Sequence, residues 1–154
     1  MWSFFKRAVP HPARALLTEL DGLDEARRNA TARQLALLWS AFAQEFGVSR
    51  FIEASASEQQ SYLDRLDRIV ERGKELKDTE LARYYYSTAL LRHFLEALRT
   101  RDAGPGARAI AERLVLLTEE GRALQEDADS RLETVQSSTP EHPNPVPIRP
   151  SDRR

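Results

Sequence analysis

The chain has 154 residues, of which 41% are hydrophobic and 31% are charged, and its formal net charge is −1. This composition is typical of a soluble globular domain, and the balanced charge creates no overall field that would attract nucleic acid or an anionic membrane. The sequence contains no cysteine, which excludes disulfides, thiol nucleophiles and Cys-ligated metal sites. We therefore expect one ordinary domain with no nucleic acid partner.

Residues 1–11 form an aromatic and basic segment, MWSFFKRAVPH. As a helix, this segment would place Trp2, Phe4 and Phe5 on one side and Lys6 and Arg7 on the other. If it is exposed, such a segment contacts a partner protein or lies weakly on a membrane surface. In the third interpretation, the aromatic side chains fold back on the domain.

The order of residues in this segment does not match a secretory signal, because the basic residues follow the aromatic ones. No stretch of the sequence approaches the roughly 18 apolar residues that a membrane-spanning helix needs. We therefore expect a cytoplasmic protein, with peripheral membrane association as the alternative.

Residues 12–136 show the apolar spacing of amphipathic helices and no alternation of β-branched residues that would predict strands. The predicted helices run from Pro12 to Leu20, from Asp24 to Phe46, from Ser57 to Leu76, from Glu80 to Asp102 and from Pro105 to Val135. A capping box of Ser57 and Gln60 would begin the third helix, after a connector with one helical turn near Arg50–Ala54. The sequence thus predicts an all-α bundle of five helices with the fourth helix at its centre.

Three consecutive tyrosines, Tyr84, Tyr85 and Tyr86, lie in the fourth predicted helix. Successive residues of an α-helix point about 100° apart, so the three rings cannot all face one core. The apolar face also rotates by more than about a third of a turn along this helix, which indicates different neighbours at its two ends. We expect Tyr85 to lie mostly in the core, with Tyr84 and Tyr86 at its edges as candidate partner-binding residues.

The fifth predicted helix carries a heptad-like apolar seam, and its far end is acidic and thins out in apolar residues. The seam comprises Ile110, Leu114, Leu117, Gly121, Leu124, Ala128, Leu132 and Val135. We expect the last turns of this helix to project beyond the core.

Residues 137–154 are rich in proline and predict an extended tail, in which Pro147 and Arg149 have the general form of a proline-rich ligand.

The sequence offers little support for catalysis. His93 and Glu96 lie one turn apart and could share a proton or hold a metal, but a dinuclear helical site needs two Glu-x-x-His motifs, and the sequence contains none. It also lacks a Gly-rich phosphate loop, a G-x-S-x-G motif and an H-E-x-x-H motif. We expect no metal, no cofactor, no catalytic residue and no enzymatic activity.

The leading hypothesis is a non-enzymatic protein–protein interaction module, such as an adaptor, an assembly subunit, or an inhibitor or immunity-type protein. Its candidate partner-binding residues are Trp2, Phe4, Phe5, Tyr84, Tyr86, Pro147 and Arg149. The alternative is a peripheral membrane protein that uses Trp2, Phe4, Phe5, Lys6 and Arg7. A third hypothesis is a small-ligand-binding or enzymatic bundle that uses the region of Tyr84, His93 and Glu96. The sequence leaves open the identity of the partner and the oligomeric state.

Overall fold

The computed structural model of the chain describes residues 11–138, with side chains described as far as residue 134. This part of the chain is helical, and the prediction of an all-α protein is confirmed for it. The helices are α1 (Arg14–Asp21), α2 (Glu25–Glu45), α3 (Gly47–Glu53), α4 (Ala56–Gly73), α5 and α6 (Pro105–Ser138). Helix α5 consists of an α-helical turn (Asp78–Leu81), a π-helical segment (Ala82–Tyr86) and an α-helical segment (Ser87–Thr100).

Helix α3 raises the number of helices in residues 11–138 to six, one more than the sequence predicts. Helix α2 ends at Glu45, and Phe46 is its C-cap: the Phe46 N–H still donates to the carbonyl oxygen of Phe42 at 2.7 Å. Gly47 follows with a φ of +75°, a left-handed conformation that glycine adopts without the steric penalty of a side chain. The chain therefore turns at Gly47 and begins a separate short helix, where the sequence analysis had a connector with one helical turn.

The start of α4 differs from the prediction by two residues. Ser55, not Ser57, is the N-cap: its Oγ accepts from the backbone N–H of Glu58 at 3.1 Å, and the Glu58 carboxylate accepts from the Ser55 N–H at 3.1 Å. The predicted capping box of Ser57 and Gln60 is therefore wrong. The Ser55–Glu58 pair has the same S-x-x-E spacing.

Helices α2 and α6 cross at a point of close backbone contact. A Cβ atom added to Gly121 of α6 would lie 2.6 Å from the carbonyl carbon of Ala32 and 3.0 Å from the Cβ atom of Ala36. Beside this crossing, the Arg28 guanidinium donates to both carboxylate oxygens of Glu120, at 2.9 and 2.6 Å. Glycine at this position of α6 lets the two helix backbones approach.

Helix α5 packs against α2, α4 and α6. Its buried face carries Leu90, Leu91 and Leu95, whose side chains are fully buried. On the side facing α4, Arg92 Nε donates to Asp67 Oδ1 at 2.8 Å. The contacts of α5 with three other helices explain why apolar side chains occupy so much of its circumference.

The π-helical segment of α5 is held from two sides. The Thr31 hydroxyl on α2 is buried and lies 3.0 Å from the carbonyl oxygen of Ala82 and 2.9 Å from that of Arg27, so it donates to this pair of acceptors. On the other side, a Cβ atom added to Gly73 of α4 would lie 2.9 Å from the backbone nitrogen of Tyr85. The absence of a side chain at Gly73 thus allows the end of α4 to pack directly on the π-helical backbone.

This segment also explains much of the rotation of the apolar face. A π-helical turn accommodates one additional residue, so residues after Tyr86 are displaced by about 100° from their positions in an uninterrupted α-helix. On a uniform α-helical wheel, Leu81 is set at 0° and each residue advances by about 100°. The apolar side chains of the first half of α5 then cover an arc from about 300° through 0° to about 140°, and those of the second half cover an arc from about 180° to about 320°. The displacement moves the second arc to about 80–220°, where it overlaps the first.

The three tyrosines are all half-buried. Tyr85 and Tyr86 both pack against the core, whereas the sequence analysis placed Tyr85 alone there. Their rings meet edge to face, with centroids 5.0 Å apart. The π-helical geometry is what brings two adjacent tyrosines to one packed surface.

We expect Thr31→Val to lower the free energy of unfolding by about 1–2 kcal/mol, because it removes a buried hydrogen-bond donor and keeps the side-chain shape. The measurement is urea denaturation followed by circular dichroism. The matched control is Thr18→Val, because the exposed Thr18 hydroxyl donates within its own helix, to the Arg14 carbonyl oxygen at 3.1 Å. Equal effects of the two substitutions would contradict a role for Thr31 in holding the π-helical segment.

Candidate functional site

An apolar hollow of about 430 Å³ lies where α3, the end of α5 and the start of α6 meet. Ile52 of α3 forms one wall, Phe94 and Leu98 of α5 form the floor, and Ala107 and Ala111 of α6 form the other wall.

A second apolar hollow of about 230 Å³ continues along α6. It is lined by Trp39 of α2, Val48 of α3, Phe94 of α5, and Leu114 and Val115 of α6. Phe94 lines both hollows, so they lie next to each other on the same side of the bundle. We call the two hollows together the α3–α6 groove.

The apolar surface of the α3–α6 groove is partly open to solvent. Val115 is 54% exposed, and Ile52 is also exposed. A contiguous set of apolar side chains around a surface depression marks an interaction surface more often than isolated exposed apolar residues do. The groove is therefore the strongest candidate for a binding surface in residues 11–138.

Thr118 of α6 lies in this lining with its hydroxyl unsatisfied. The residue is only 5% exposed, and its Oγ1 has no hydrogen-bond partner among the described residues. Buried hydroxyl groups are normally hydrogen-bonded, since leaving one unpaired costs free energy. The Thr118 hydroxyl oxygen is itself buried, so it lies beneath the apolar lining and is not open to the groove.

Charged residues line the edge of the groove. Arg101, Arg108 and Arg122 make no ion pair within the part of the chain that the structure describes. The Asp102 carboxylate is engaged: it accepts from the Gly104 N–H at 2.9 Å and lies 3.2 Å from His11 Nε2. The Gly104 hydrogen bond and then the His11 contact hold the pKa of Asp102 below its usual value.

A separate cleft of about 500 Å³ contains the first of the three tyrosines. Tyr84 borders it together with Ile69, Gly73 and Leu76 of the α4 region, and the Arg83 guanidinium lies over the Tyr84 ring, 5.7 Å from its centroid. The predicted site residue Tyr84 thus lines a surface cleft on a different part of the molecule from the α3–α6 groove.

Tyr86, the other predicted site residue of α5, has a partner inside the chain. Its hydroxyl donates to Glu19 Oε1 of α1 at 2.9 Å. Burial, together with this hydrogen bond, raises the pKa of Tyr86 to about 12. Tyr86 therefore links α1 to α5.

Tyr84, His93 and Glu96 have different neighbours, and no contact between Tyr84 and either of the other two is found in the described part of the chain. Glu96 accepts from Arg92 at 2.8 Å and from Arg99 at 2.6 Å. Burial opposes ionisation of Glu96, but these two hydrogen bonds outweigh it and lower its pKa. Burial is also the main cause of the lowered pKa of His93, followed by the charge of Arg92.

No group of three or more His, Cys, Asp or Glu side chains that could hold a metal ion occurs among residues 11–134. Within the described part of the chain, no helix is both long and apolar enough to cross a membrane. The remaining predicted contact residues lie outside residues 11–138, and they are Trp2, Phe4, Phe5, Lys6, Arg7, Pro147 and Arg149.

The α3–α6 groove was not predicted, because residues 47–53 were interpreted as a connector with one helical turn. Val48, Phe51 and Ile52 are spaced by three and four residues, which is the spacing of one helix face. In the structure, Phe51 enters the core, and Val48 and Ile52 line the groove. That short apolar pattern was the signal that could have revealed one wall of the site.

A search against protein-family models, curated proteins and solved structures finds no match for this chain.

Proposed function

We propose that the protein is a non-enzymatic interaction module that binds a helix of a partner protein in the α3–α6 groove. The observation that carries the proposal is the apolar lining of the two neighbouring hollows, which includes Ile52 and Leu98 in the first, Val115 in the second and Phe94 in both. Adaptors, assembly subunits and inhibitors all work through surfaces of this kind.

The groove suits a helix better than an extended peptide. Its walls are two helices, and helix-in-groove recognition places apolar side chains at i, i+3, i+4 and i+7 of the bound segment against an apolar lining. An extended strand, by contrast, gains most of its affinity from backbone hydrogen bonds to a sheet edge, and the elements that border this groove are helices.

The test is a pull-down with the tagged full-length chain from the source cells, followed by reconstitution with the purified captured protein. Val115→Glu places a charge in the groove, whereas Leu116→Glu places one on the neighbouring residue, which is 46% exposed and does not line the groove. We expect capture by the unmodified chain and by Leu116→Glu, with at least about tenfold weaker binding by Val115→Glu, because the buried charge would be unpaired. Equal binding by the two variants, or no binding by the unmodified chain, would contradict the proposal.

A further inference from the structure

We infer that the helix bound by the α3–α6 groove is the projecting end of α6 from a second copy of this chain. The inference rests on the proposed function, because it names the partner for the same groove. The end of α6 has an apolar seam, a negative charge and a length that suit the groove. Both the groove and the end of α6 lie in the described part of the chain.

The end of α6 projects beyond the bundle. Leu124 still packs against the core, but from Gln125 to residue 134 every residue except Ala128 is exposed. The helix continues to Ser138. Residues 125–138 therefore form a helical extension about 21 Å long at 1.5 Å per residue, and we call it the α6 extension.

The α6 extension continues an apolar seam that has no cover in the described structure. The seam buries Ile110 and Leu117 in the core and then continues as Ala128 and Leu132, where Leu132 is 57% exposed. This leucine lies on the helix face that packs in the core farther along α6. Covering it with a partner would be favourable, because apolar surface would be removed from water.

The α6 extension is acidic on one side of this seam. Glu126, Asp129 and Glu133 are spaced by three and four residues, so they form one stripe on the helix. These three carboxylates make no ion pair with any described residue. The neighbouring Asp127 does make one, with Arg131 of the same helix at 2.9 Å, so the stripe carries the free negative charge of the α6 extension.

The edge of the groove carries the complementary charge. Arg101, Arg108 and Arg122 are unpaired within the described residues, while Glu119 is the one lining carboxylate that lacks a partner there. The charged side chains that line the groove are therefore three arginines against two carboxylates, Asp102 and Glu119, because the hydrogen bond from the Gly104 N–H does not neutralise Asp102.

Arg108 and Arg122 lie 14 residues apart on α6, about 21 Å, so the groove is about as long as the α6 extension. The acidic stripe from Glu126 to Glu133 spans seven residues, about 10 Å, and covers half of that length.

The N-terminal segment of the chain suits the groove less well by charge. It contains Lys6 and Arg7 and no acidic residue before Glu19, so its free charge has the same sign as that of the three groove arginines. An acidic amphipathic helix of a different protein would satisfy the groove equally, but the α6 extension already has this chemistry and is present at the concentration of the protein itself.

The test is sedimentation velocity of the purified full-length chain over a wide range of concentration. We expect reversible self-association that weakens as salt is added. The groove variant, Arg108→Glu with Arg122→Glu, should associate about tenfold more weakly, and so should the extension variant, Glu126→Lys with Asp129→Lys and Glu133→Lys. A mixture of the two variants should recover association. The new glutamates in the groove of one variant then face the new lysines on the α6 extension of the other, and the unchanged groove arginines face the unchanged carboxylates.

The matched control for the groove variant is Arg33→Glu with Arg68→Glu. These arginines are exposed on α2 and α4 and line neither hollow, and the net charge changes by the same amount. We expect this control to associate like the unmodified chain. If the control weakens association equally, or the mixture does not recover it, the pairing of groove and extension is wrong.

Other results would assign the groove to another occupant. A chain that stays monomeric but captures a different protein through Val115 would overturn this inference and leave the proposed function in place. Self-association that appears only after residues 1–9 are removed would show that the N-terminal segment occupies the groove, and would also overturn the inference. Self-association that Val115→Glu does not weaken would show that the groove is not the interface, and would count against both proposals.

Discussion

Gly121→Ala is expected to lower the free energy of unfolding by about 3 kcal/mol. The added methyl group would lie 2.6 Å from the carbonyl carbon of Ala32 and 3.0 Å from the Cβ atom of Ala36. Backbone atoms cannot move aside as a flexible side chain can, so α2 and α6 must separate along their crossing. The measurement is urea denaturation monitored by circular dichroism.

The sign of the change in unfolding free energy shows which effect dominates, the contact between the two helices or the intrinsic helix propensity of alanine. Gly121 lies in the interior of α6, where replacing glycine with alanine stabilises an isolated helix by about 1 kcal/mol. The control is Gly22→Ala, where the nearest atom to the added methyl group would be the Glu19 carbonyl oxygen at 3.6 Å, an ordinary contact. A stabilised Gly121→Ala protein would mean that α2 and α6 do not cross as described.

Phe42→Ala is expected to lower the free energy of unfolding by about 4 kcal/mol, because it leaves a large cavity in the core. The Phe42 side chain is fully buried. Its ring centroid lies between 5.3 and 6.3 Å from those of four other aromatic rings, which are Trp39, Phe46, Phe51 and Tyr62. Removal of this ring takes away contacts that join α2, α3 and α4.

The control for Phe42→Ala lies on the same helix. Leu37 is 59% exposed, and we expect Leu37→Ala to change the free energy of unfolding by less than about 0.5 kcal/mol. Thermal denaturation of both variants checks the prediction. Similar losses from the two substitutions would contradict the described orientation of α2. A loss confined to Phe42→Ala would support the buried position of Phe42 in the aromatic cluster.

The periodicity of apolar residues was sufficient to predict the long helices. Ile110, Leu114 and Leu117 of α6 were placed on one apolar seam by their spacing, and the structure buries them. This works because a helix of several turns repeats its pattern often enough to distinguish it from chance. Helix α3 has only seven residues, so its single repeat of apolar spacing was too short to be distinguished from a connector.

The π-helical segment shows a further limit of sequence reasoning. The rotation of the apolar face in α5 was visible in the sequence, but a uniform wheel of about 100° per residue could not identify the additional residue that causes much of it. The contacts of Thr31 with Ala82 and of Gly73 with Tyr85 come from two other helices. Their partners are distant along the chain, so no local pattern encodes them.

For this protein, the sequence alone determined the all-α class, the positions of the long helices and the acidic, thinning end of α6, because each follows from residue types at local spacings. The tertiary structure decided which residues form the candidate site. Val48 and Ile52 come from a helix that was predicted only as a connector with one helical turn, Phe94 from α5, and Val115 and Thr118 from α6. These residues become neighbours only when the helices pack, since a groove is a property of the space between elements and not of any one of them.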